Sequence, residues 1–150
     1  MERLIIAAAF IVVAVIVATV MQRRRPDAPT QPTSWTVPAQ VDRADFHRPD
    51  AEWLVAVFTS ATCDSCAGVK GKVALLESLA VATHDLEAVA DKALHDRYGI
   101  DAVPTLIIAD RAGVVCASFI GPVTAADLWA TMADLREPGS VPPGCDHGAG

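Results

Sequence analysis

Four cysteines, at positions 63, 66, 116 and 145, carry most of the chemistry open to this 150-residue chain, and two of them are spaced as a pair. Cys63-Asp64-Ser65-Cys66 sets two sulfurs three residues apart. That spacing suits a small disulfide, and it equally suits half of a zinc site. A thiolate, not a thiol, attacks a disulfide, so a redox site must first lower a thiol pKa from about 8.5. The amino terminus of a helix does this, because its unpaired backbone N–H groups and its macrodipole favour an anion. Cys145 and His147 stand near the carboxyl end. They read as solvated tail residues, as a third thiol swinging to the pair, or as ligands completing a metal site with it.

The elements around the pair supply the required setting. Trp53 to Thr59 (WLVAVFT) is a continuous apolar, β-rich run, the pattern of a strand buried on both faces. Ser60-Ala61-Thr62 breaks it. Apolar residues then recur at Val69, Val73, Leu76 and Ala80, with Leu75 and Leu79 beside them, which predicts a helix from Thr62 or Cys63 to about Ala80. Gly68 and Gly71 each weaken that helix by up to about 1 kcal/mol, so tertiary packing must hold it. Strand, break, C-x-x-C and helix therefore come in the order that puts the first sulfur at a helix mouth and the second one turn in.

Further along, Gln40 to Phe46 is a weak first strand followed by a turn at His47 to Asp50, and Val81 to Ala88 is another weak strand. Asp91 to Tyr98 predicts a short helix closed by Gly99. Thr105 to Ala109 and Val114 to Ile120 predict a hairpin around Asp110 to Gly113. Thr124 caps a last helix to Leu135, with Leu128, Thr131, Met132 and Leu135 inward. The alternation argues an α/β fold, a mixed sheet with helices on both faces. Cys116, mid-strand, reads as a buried small hydrophobe. Trp53 and Trp129 read as core, and His47, His84 and His95 as surface or cap residues.

The apolar excess, 52% of the chain, is concentrated at the amino end, where Leu4 to Met21 runs eighteen residues without a charge. As a helix it spans roughly 27 Å, enough to cross a bilayer once. It runs straight into Arg23-Arg24-Arg25 with no small-residue cleavage site, so residues 1–21 read as an uncleaved transmembrane anchor in a cell membrane. Residues 22–39 hold Pro26, Pro29, Pro32 and Pro38 and read as an Arg/Pro-rich tether, in which Trp35 is an interfacial anchor or simple packing. Residues 40–136 form the domain, and 137–150, rich in Pro and Gly, a flexible tail. From Pro26 onward eight Lys/Arg face seventeen Asp/Glu, a net −9 that excludes nucleic-acid binding. Only Arg3 precedes the apolar run, against three arginines after it. Positive flanks stay inside, which favours a domain facing the cytoplasm over the extracytoplasmic alternative.

With these elements in place, the stretch from Gln40 to Leu135 resembles the thioredoxin superfamily. The residues carrying the resemblance are Trp53-Leu-Val-Ala-Val-Phe-Thr-Ser60, the Cys63-x-x-Cys66 pair, Tyr98-Gly-Ile-Asp-Ala-Val-Pro-Thr105 and Gly121. The anchored layout is similar to membrane-tethered thioredoxin-like proteins of bacteria. The resemblance implies that Cys63 is the nucleophile and Cys66 the resolving thiol. It also implies that Val103-Pro104 is a cis peptide facing them, with Val103, Pro104 and Thr105 touching substrate. The expected activity is thiol-disulfide exchange with protein substrates and an upstream electron donor or acceptor, with no cofactor beyond the redox disulfide and no metal. Two departures stand out. Asp64-Ser65 replaces the usual Gly-Pro, placing a negative charge beside the nucleophile, and the family's buried acid falls at Val57. Both suggest a slower or more specialised oxidoreductase. A copper(I)- or zinc-binding carrier and a redox-gated binding module are the alternatives.

Overall fold

A computed structural model of the chain describes residues 36–140. The apolar run, Trp35, Cys145 and His147 lie outside the described residues, and with them the expected anchor, most of the tether and most of the tail.

Four strands, β1 (Trp53–Thr59), β2 (Val81–Glu87), β3 (Thr105–Ala109) and β4 (Val115–Ile120), form one mixed sheet in the order β2-β1-β3-β4. β1 runs parallel to β2 and antiparallel to β3, and β3 runs antiparallel to β4. Three helices flank the sheet: α1 (Cys66–Ala74), α2 (Lys92–Tyr98) and α3 (Ala125–Arg136). The continuous apolar run of β1 is explained by its two covered faces. Val55 and Val57 join Val69 and Val73 of α1 and Leu128 and Met132 of α3 in one core. Leu54, Ala56 and Phe58 alternate into a second core with Leu86, Ile107, Phe46 and, at its border, Leu94 and Tyr98 of α2. Helix ends obey the expected chemistry, with Thr124 accepting the Asp127 N–H at 3.1 Å and Gly99 left-handed at φ 63° after α2.

Several sequence expectations are corrected. The first helix starts at Cys66, not Thr62 or Cys63, and stops at Ala74 rather than Ala80, leaving Leu75 72% and Leu79 97% exposed. A distant side chain competes for the carbonyls beyond its last turn: Arg48 pairs with Glu77 and donates to the carbonyls of Ser78 and Leu79 at 2.6 and 2.8 Å. Burial, which raises the Glu77 pKa, is outweighed by the hydrogen bonds from Thr83 and the pairing with Arg48, and the carboxyl lies below its ordinary value. Gln40 to Phe46 forms no strand. A single bridge joins Gln40 to Val114, and the Asp42 carboxylate accepts the Ala44 N–H at 3.0 Å, drawing the chain into a 3-10 turn at Arg43–Asp45.

The solvent boundary also differs. Cys116 is exposed, because β4 is an edge strand that turns Val115, Ala117 and Phe119 inward and the alternate residues outward. Trp129 is 46% exposed, since Leu128 and Met132 define the buried stripe of α3. His95, by contrast, is buried, its Nε2 3.1 Å from the Leu86 carbonyl and its ring edge-on to Phe58. His84 is half-buried and stacks on His47 at 3.9 Å, and burial followed by the neighbouring imidazole lowers its pKa.

The β3–β4 turn fixes the amino-terminal segment to the sheet. Gly113 holds φ +82°, and its carbonyl accepts the Val41 N–H at 2.8 Å. A methyl group there would overlap the Val41 carbonyl oxygen, whereas one at Gly71 meets nothing within 4 Å. Gly113→Ala is therefore expected to lower unfolding free energy by about 2 kcal/mol or more, and Gly71→Ala to raise it by up to about 1 kcal/mol. Urea denaturation of both variants measures each change.

Candidate functional site at the end of the sheet

Because β1 and β3 are antiparallel, the carboxyl end of β1 and the amino end of β3 lie at one end of the sheet, with Phe58 paired to Thr105. The chain leaves β1 at Thr59 and turns through Ser60-Ala61-Thr62, and the Cys63 N–H bonds the Ser60 carbonyl at 3.1 Å. A second turn, from the Cys63 carbonyl to the Cys66 N–H at 3.3 Å, delivers the chain into α1. Ser65 is the cap residue but offers no side-chain capping bond. Cys63 thus stands just ahead of the helix, and Cys66 is its first residue.

The two sulfurs are bonded to each other, with Cα atoms 5.5 Å apart. They differ in access: Cys66 is 2% exposed, while Cys63 is half-buried. The Cys63 Sγ lies 3.7 Å from the Ser65 Oγ, and Asp64 is exposed. On the β3 side, Val103-Pro104 is cis, Pro104 is buried and Val103 half-buried. The Pro104 carbonyl accepts the Gly121 N–H at 2.7 Å, and the Thr105 hydroxyl donates to the Ala102 carbonyl at 2.8 Å. The topology therefore brings Cys63, Asp64, Ser65 and Cys66 to the same sheet end as Val103, Pro104 and Thr105. Cys116 lies on the exposed face of β4.

Two carboxylates near this end escape a reading of the sequence. Val57, where the acid is missing, is buried in the core, but its in-register partner on β2 is Asp85. Asp85 pairs with Lys70 at 2.5 Å, one turn beyond Cys66, and accepts the hydroxyl proton of buried Thr59 at 2.8 Å. Glu87, the last residue of β2, accepts three backbone N–H groups: Ala61 at 3.1 Å, Val89 at 2.8 Å and Ala90 at 3.0 Å. Those bonds, from Ala90, Val89 and Ala61 in that order, hold its pKa below the ordinary carboxylate value. The only local sign of this in the sequence is an acid at a strand end followed by the uncharged residues Ala88-Val89-Ala90. Among the described residues no three His, Cys, Asp or Glu side chains are grouped to hold a metal ion.

No family model matches the chain, and no curated protein sequence matches it. Solved structures do. A mutant thioredoxin from Halobacterium salinarum is 23% identical, covering 71% of this chain and 91% of its own, with a TM-score of 0.53. Thioredoxin O2 from Arabidopsis thaliana, in its oxidized state, is 23% identical over 63% of this chain and 89% of its own, with a TM-score of 0.50. The germline-specific thioredoxin Deadhead from Drosophila melanogaster, also 23% identical, covers 58% and 84% with a TM-score of 0.51. At these identities the likeness is one of fold: the described domain has a thioredoxin-like fold.

The difference in burial between the two sulfurs sets a test of their roles. After reduction, limiting iodoacetamide is expected to modify Cys63 at least roughly ten-fold faster than Cys66. Mass spectrometry of the digested protein counts the two products, and faster labelling of Cys66 contradicts the assignment.

Proposed function

We propose that the chain is a thiol-disulfide oxidoreductase acting on cysteines of other proteins through its Cys63–Cys66 pair. One observation carries the reading: an accessible sulfur bonded to a buried one at the mouth of a helix, on the sheet end that also bears the cis Val103-Pro104 loop. In the reducing direction the Cys63 thiolate attacks one sulfur of a substrate disulfide, forming a mixed disulfide and releasing the other substrate sulfur as a thiolate. Cys66, after losing its proton, attacks the Cys63 sulfur. The Cys63–Cys66 bond forms, the second substrate thiol leaves, and two electrons have passed to the substrate. The same steps reversed oxidise a substrate dithiol. An extended substrate segment pairs with the backbone beside Val103 to Thr105, in the manner of an added strand.

The pair is then restored by an upstream electron donor or acceptor. Residues 4–21 anchor the chain in a membrane, and Arg23-Arg24-Arg25 favour the domain on the cytoplasmic face. Among the described residues no helix is long and apolar enough to cross a membrane, so the anchor rests on the sequence.

Two experiments test these proposals. Cys66→Ser, which removes the resolving thiol, is expected to accumulate a mixed disulfide with substrate proteins that reductant releases, and Cys63→Ser none. Equal trapping by both variants contradicts the assigned roles. In intact cells a membrane-impermeant maleimide is expected to label the exposed Cys116 only after permeabilisation, and labelling beforehand overturns the cytoplasmic placement.

A further inference from the structure

Val89 is 83% exposed and belongs to neither core, yet its backbone is held firmly. One oxygen of the Glu87 carboxylate accepts the Val89 and Ala90 N–H groups and the other accepts that of Ala61, two residues before Cys63. A second tie, from the Ala88 N–H to the Thr59 carbonyl at 2.9 Å, joins the loop after β2 to the end of β1 that leads into the sulfur loop. The loop after β2 is thus fastened edge to edge with the loop that carries the accessible sulfur. The residues of the sulfur loop itself are polar or small: Ser60, Ala61, Thr62, Asp64 and Ser65. Val89 is the exposed apolar side chain on the loop fastened to it.

A mixed disulfide dictates what comes near. Its two Cα atoms stand about 5.5–6 Å apart, so the residues flanking a substrate cysteine must lie over the residues around Cys63. We propose that Val89 is the specificity-determining contact for the substrate segment beside the target cysteine, and that Glu87 is the positioning residue that sets it there. The substrates selected carry an apolar residue, and not an acidic one, next to the reacting cysteine. This rests on the thiol-disulfide reading and names its substrate class. Two features support the choice of occupant. The Val89 methyls gain by leaving water against an apolar flank, and because the loop is already fixed, little ordering cost is added on binding. An acidic flank meets the exposed Asp64 and the Glu87 carboxylate within a domain, residues 40–136, of net −6.

The test uses the full chain in detergent, reduced and freed of reductant, with two disulfide-bonded peptide probes that differ in one residue, Leu or Asp beside the cysteine. The wild type is expected to reduce the Leu peptide roughly ten-fold more efficiently than the Asp peptide. Val89→Ser is expected to narrow that ratio to about two-fold, and Val89→Leu to retain it. Glu87→Gln puts an amide NH2 where one oxygen now accepts N–H groups. It is expected to narrow the ratio by raising the half-saturating concentration of the Leu peptide, with the rate at saturation kept. A ratio that stays near ten-fold in Val89→Ser, or a wild type that does not discriminate, overturns the proposal. A wild type that also fails to reduce a small aromatic disulfide without peptide flanks overturns the thiol-disulfide reading itself, and this proposal with it.

Discussion

The burial of β1 on both faces is the constraint on which the rest of the molecule depends. Leu54 to Thr59 are all buried, and the strand pairs along its length with β2 on one side and β3 on the other. A strand so enclosed can release the chain to solvent only at its ends. The carboxyl end is where Ser60-Ala61-Thr62 turns out and α1 begins, so the sulfur pair sits where a fully buried strand releases the chain. Because β2 is parallel to β1 and β3 antiparallel, the loops leaving β2 and entering β3 converge there as well.

Electrostatics at this end are divided between opposing contributions. Cys63 stands just ahead of the first turn of α1, whose positive end faces it, and the exposed carboxylate of Asp64 follows it in the chain. Away from the sulfurs, the negative charges are tied up structurally: Glu87 by three backbone amides, and Asp85 by Lys70 and the Thr59 hydroxyl. In that arrangement carboxylates hold loops in place, and access at the mouth of the site is left to Cys63 and the side chains around it.

The sequence carries the strands well because enclosure on both faces writes itself as an unbroken apolar run, as in Trp53 to Thr59, and a hairpin as two β-rich runs about Asp110 to Gly113. Cys63 and Cys66 are legible as a pair because their spacing is local, and the Val103-Pro104 loop through the Tyr98-to-Thr105 stretch that carries the family resemblance. The readings that fail depend on partners far along the chain. Arg48 takes the carbonyls of Ser78 and Leu79, thirty residues on, just where apolar periodicity argues for more helix. Cys116 reads as buried because Val114-Val115-Cys116-Ala117 gives no sign of which face of an edge strand meets solvent. Glu87 gathers N–H groups from three positions on two loops, and no window of sequence contains that geometry.

The proposed chemistry requires Cys63 and Cys66 to exchange electrons as one couple at a helix mouth. Equilibration of the full chain across a series of glutathione redox buffers, with thiols counted by alkylation and mass, tests it most directly. A single reversible two-electron transition confined to Cys63 and Cys66 is expected, in protein that carries no bound metal. A pair that stays insensitive to the buffer, or that purifies with one zinc or copper ion per chain held by both sulfurs, would contradict it.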